Sequence, residues 1–95
     1  MKAYLVAEVN VTDQAAYESY RQGVPASLAP FGGRFVVRGG AMEVLEGTWK
    51  PPRLVILEFP DMAKLREWYG SSEYRPLLEL RKRSAISNVV AIEGV

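Results

Sequence analysis

The chain has 95 residues, 48% of them hydrophobic, and its 12 basic and 11 acidic side chains leave a net charge of +1. That length is expected to form one domain, residues 1–95, and the balanced charge offers neither the basic field that nucleic acid needs nor a polybasic run for an anionic membrane. The absence of cysteine and histidine excludes disulfides, thiolate chemistry, imidazole- or thiolate-held metals and histidine-dependent nucleophilic catalysis, so proton chemistry falls to Glu, Asp, Tyr, Lys or Arg.

Residues 3–11, AYLVAEVNV, are β-branched and apolar with isolated polar positions, which predicts a first strand. Thr12 and Asp13 are helix-capping types. Ala16, Tyr17, Tyr20, Val24 and Leu28 then recur at three and four, one face of a helix running to about Phe31. Pro25 is expected to kink that helix or divide it, and Gly32-Gly33 to stop it.

Residues 34–38, RFVVR, predict a second strand and 53–59, RLVILEF, a third, with an irregular extended piece at 41–45. Pro60-Asp61 opens a short helix carrying Leu65, Trp68 and Tyr69 on one side. After Gly70-Ser71-Ser72 a further helix carries Tyr74, Leu77, Leu78 and Arg81, and residues 86–93, ISNVVAIE, form the last strand. The run Arg81-Lys82-Arg83 closes that helix, where basic residues complement the dipole. Met1 leads straight into the first strand, and no apolar run approaches the ~18 residues that span a bilayer. No membrane association and a cytoplasmic location are therefore expected.

The order β-α-β-β-α-β is the ferredoxin-like, α+β arrangement: a four-stranded antiparallel sheet with the third strand between the first and second. Helices cover one face. The other would carry Val6, Val36, Leu54, Ile56, Val90 and Ile92, an apolar patch too large to leave in water. A second copy packed sheet to sheet, making a dimeric α+β barrel, would cover it.

Further motifs are Tyr17-Glu18-Ser19-Tyr20-Arg21, Gly32-Gly33-Arg34-Phe35, Arg38-Gly39-Gly40, Leu45-Glu46-Gly47, Arg53 through Pro60, and Trp68-Tyr69-x-Ser71-Ser72-Glu73-Tyr74. With these the chain resembles domain-of-unknown-function family thirteen-thirty, of the dimeric α+β barrel superfamily. The resemblance implies the fold and a homodimer but no assigned activity. Relatives across the superfamily include small monooxygenases, cyclases, dehydratases and decarboxylases acting on aromatic or quinone-like compounds, many without a cofactor. Mechanisms that need histidine do not transfer.

Strand alternation places Leu5, Ala7, Val9, Phe35 and Val37 toward the helices. It places Glu8, Asn10, Arg38 and Asn88 together at one end of the opposite, dimer-facing surface. Two readings follow. Glu8 and Arg38 form a structural ion pair, or they are the catalytic pair of a small-molecule pocket, Glu8 handling a proton and Arg38 holding an anionic oxygen. Asn10 and Asn88 accompany them as ligand-binding candidates. Glu46, Trp49 and Arg53 lie near the same end, where Trp49 either walls a pocket or packs in the core or dimer. Tyr20 and Tyr74 offer hydroxyls to a ligand or are core residues with satisfied tips, and Ser72 is a helix cap or a ligand contact. The function expected is cofactor-free binding or transformation of a small anionic or aromatic metabolite by a homodimer. The alternative is a non-catalytic dimerisation or sensory module whose polar cluster is structural.

Overall fold

The computed structural model describes all residues 1–95. Its elements are β1 (Ala3–Val11), α1 (Gln14–Leu28), a 3-10 turn (Ala29–Phe31), β2 (Arg34–Arg38), β3 (Leu54–Phe59), α2 (Met62–Tyr69), α3 (Arg75–Ser84) and β4 (Ala85–Glu93). The strands lie in the order β2-β3-β1-β4 with every neighbouring pair antiparallel. This is the expected ferredoxin-like α+β fold. No helix is long and apolar enough to cross a membrane.

The Asp13 carboxylate accepts from Ala16 N and starts α1; Asp61 does the same for α2 through Lys64 N. Pro25 neither divides nor ends α1, which runs on to Leu28. Gly32, at φ 70°, then turns the chain toward β2, a conformation that glycine adopts without a Cβ penalty. Residues 41–45, expected to be extended, belong to no strand.

The core lies between helices and sheet, where Leu5, Ala7 and Val9 of β1 meet Leu57 and Phe59 of β3 beneath Tyr17, Val24, Leu28, Leu65, Trp68 and Tyr74. Trp68 is fully buried, stacks against Tyr74 with ring centroids 3.9 Å apart, and donates its indole N–H to Ser27 Oγ at 3.0 Å. Burying side chains of this size contributes roughly 1.5–3 kcal/mol each. The opposite sheet face stays apolar and open, with Ile86, Val90 and Ile92 all more than half exposed.

Candidate functional site

The register of β2 decides where the candidate residues stand. Arg34 pairs with Glu58 and Phe35 with Leu57, but a bulge at Val36 makes the next partners Val37↔Ile56 and Arg38↔Val55. One extra residue moves every later side chain to the other face. Val37 therefore joins the open face. Arg38, expected there beside Glu8, lies instead on the helix side with Phe35, over whose ring its guanidinium sits at 4.2 Å. Arg38 and Glu8 are on opposite faces, and the ion pair considered for them does not form.

Helix α1 holds Arg38. Proline has no N–H, so Pro25 leaves the carbonyl four residues earlier, Arg21 O, without its usual helical donor. Arg38 Nη2 donates to that carbonyl at 2.7 Å. Arg53, expected near the same barrel end with Glu46 and Trp49, stands beside Arg38 on the helix side, its guanidinium over the Tyr17 ring at 5.5 Å. At Gly39, φ 69°, an added Cβ would run into that guanidinium, so glycine both makes the turn and clears the space. Neither Arg38 nor Arg53 has an acidic partner, and the Nε of each is buried with no acceptor. Burial, then the charges of Arg21 and Arg53, lowers the proton affinity of Arg38 below the ordinary arginine range.

These arginines stand at a narrow cavity of about 30 Å³ between the helix layer and the sheet, with Tyr20, Tyr74 and Arg81 also in its lining. Through Tyr17, Arg21 and Arg53 it adjoins an open groove of about 380 Å³ floored by Val11, Gln14, Glu18 and Pro52. Within the cavity the Tyr20 and Tyr74 hydroxyls are 2.9 Å apart and Arg81 Nε approaches Tyr74 Oη at 3.4 Å. Burial, with Tyr74 alongside, pushes the ionisation of Tyr20 far above the ordinary tyrosine range.

Arg81 was not among the expected site residues. Of the basic run it alone is buried, at 7% exposure, while Lys82 and Arg83 face solvent. Its helical spacing from Tyr74, Leu77 and Leu78 was the available signal.

On the open face Glu8 accepts from Asn88 Nδ2 and from Trp49 Nε1, each at 3.0 Å. Asn10 lies two residues along the same strand and is exposed, with no side-chain hydrogen bond. Trp49 and Glu46 line a second open groove of about 320 Å³ with Leu45 and Leu54. Arg53 is not part of that group, because it takes the other face of the sheet. Ser72 does not cap α3; it is exposed and donates to Glu73, while neighbouring Ser71 Oγ accepts from Tyr74 N. At the far end, Tyr4, Arg34 and Lys2 surround Glu58. Nowhere do three side chains of metal-ligating type converge.

The same architecture occurs in solved structures of low sequence identity. A protein of unknown function from Rhodopseudomonas palustris superposes with a TM-score of 0.78 at 18% identity, over 99% of this chain and 82% of that one. A dimeric ferredoxin-like protein of unknown function from a Jannaschia species gives 0.71 at 15% identity, over 99% and 100%. SnoaB, a cofactor-independent oxygenase from Streptomyces nogalater, gives 0.69 at 15% identity, over 99% and 93%. No curated protein matches the sequence. The family model described as "Domain of unknown function (DUF1330)" matches residues 2–95, and the chain belongs to that family.

Proposed function

We propose that this protein is a homodimer, joined through the apolar sheet faces, that binds or transforms a small anionic or aromatic metabolite without a metal or organic cofactor, in the cleft between helices and sheet. The observation that carries the reading is the pair Arg38 and Arg53: two neighbouring guanidiniums, each with a buried Nε lacking an acceptor and neither in a salt bridge with a carboxylate. A buried N–H without an acceptor is unfavourable, and an anion between the two half-buried guanidiniums would complete both. Tyr17, Tyr20 and Phe35 give the narrow cavity aromatic walls, and the adjoining groove of about 380 Å³, lined by Tyr17, Arg21 and Arg53, supplies the room that a small molecule needs. Jannaschia's relative is described as dimeric and SnoaB as a cofactor-independent oxygenase, which is the precedent for both halves of the proposal. Glu8, with its two oxygens held by Asn88 and Trp49, we assign to fixing the loop after β2 on the sheet. Arg38 takes the anion-binding role.

Native mass spectrometry of gently purified protein, followed by calorimetry with small aromatic carboxylates, tests this. A dimer that retains an anionic adduct or binds such carboxylates, and loses them in Arg38→Ala with the dimer intact, is the expected result. A monomer overturns the assembly. Carboxylate binding that is unchanged in Arg38→Ala overturns the site.

A further inference from the structure

Two phenols and a guanidinium meet in the cleft, and their hydrogens do not balance. Tyr20 and Tyr74 carry one hydroxyl hydrogen each and share a single hydrogen bond of 2.9 Å. The third member, Arg81 Nε, lies 3.4 Å from Tyr74 Oη and can only donate. Neither hydroxyl meets any other protein acceptor. One phenolic hydrogen is therefore left over, inside a cavity.

Arg81 decides which one. A cation donating to Tyr74 Oη polarises that hydroxyl and makes it the better donor of the two, and hydrogen bonds running in one direction reinforce each other. The direction is Arg81 to Tyr74 to Tyr20, and the free hydrogen is that of Tyr20, whose side chain lines the cavity. We infer, on the basis of the cleft reading above, that Tyr20 donates to a carbonyl oxygen of the ligand whose anionic group sits at Arg38 and Arg53. The ligand class is thus a carboxylic acid bearing a second, neutral oxygen acceptor on its apolar body. Tyr74 and Arg81 are positioning residues: they aim the Tyr20 hydrogen without touching the ligand oxygen. The strong preference of Tyr20 for its neutral form keeps the donor present across ordinary pH.

Calorimetry on the full chain with matched probes tests the inference: meta- and para-acetylbenzoate, each against the isopropylbenzoate of the same substitution. The acetyl member of at least one pair should bind about tenfold more tightly, as a hydrogen bond to a buried donor requires. Tyr20→Phe should abolish that preference, so that the two members of a pair bind alike. Tyr74→Phe keeps the donor but not its aim, and should reduce the preference to about threefold; it also carries the test if Tyr20→Phe does not fold. Arg38→Ala should weaken both members of a pair alike. If the probes bind and depend on Arg38 but show no acetyl preference, or one that survives Tyr20→Phe, the donor is wrong and the anion cleft stands. If no probe binds at millimolar concentration, the cleft reading falls and the donor with it.

Discussion

Glu58 and Gly39 show how single residues are held by their surroundings. Burial by itself would raise the Glu58 pKa, but hydrogen bonds from Arg34 and Tyr4 and the charges of Arg34 and Lys2 outweigh it and hold the carboxyl below its ordinary range. The folded state therefore favours the ionised form. The resulting stability is fully present above the unfolded carboxylate's value, about 4.3, and is lost as pH falls through the lower folded value. Glu58→Gln should thus be less stable at neutral pH, and lose less than the parent on acidification to about pH 3. Urea midpoints at the two pH values would show it, and equal acid losses in both proteins would refute the assignment. Gly39→Ala meets two obstacles, a positive φ costing about 1–2 kcal/mol and displacement of the Arg53 guanidinium. It should lower the unfolding midpoint and weaken carboxylate binding together. Unaltered binding would mean Arg53 does not need the place it occupies.

Among the elements, α1 and β2 position the site through two irregularities. The proline in α1 frees a carbonyl, and the bulge in β2 swings Arg38 round to reach it. Pro25→Ala would return an N–H to Arg21 O. The helix should gain about 1 kcal/mol, while Arg38, sharing its anchor, should bind anions several-fold more weakly. Thermal unfolding and calorimetry read the two effects separately, and a stabilised variant with full affinity would show that the anchor is dispensable. The first irregularity was half legible beforehand and the second not at all. Pro25 was visible as a break in hydrogen bonding, but not that a guanidinium would take up the freed carbonyl. Alternation along RFVVR carries no mark of an extra residue, so Arg38 was expected on the face it leaves. Arg81 was passed over for a similar reason: a basic residue at a helix end reads as a complement to the dipole until packing buries it beside Tyr20 and Tyr74.

The whole molecule presents an apolar sheet surface whose exposed members include Val36, Ile86, Val90 and Ile92. Placing a charge on it should separate the two subunits that we propose meet there. Val90→Lys is expected to shift the assembly from dimer to monomer with the sheet still formed, as measured by light scattering and circular dichroism. A variant that remains a dimer would place the contact elsewhere. This surface could be anticipated because its evidence is local: period-two alternation along β1, β3 and β4 names both faces of each strand, and helical spacing names the face that covers one of them. Element order and the inward residues Leu5, Ala7, Val9 and Trp68 follow from that same periodicity, and the strand neighbours from the order and the handedness of its crossovers. The cleft required more. It joins Arg38 at the end of β2 and Arg53 just before β3 to Tyr20 and Arg21 of α1, Tyr74 at the start of α3 and Arg81 within it, and a bulge and a missing N–H place Arg38 among them. A bulge is a choice of pairing between distant segments, and only the assembled sheet makes that choice.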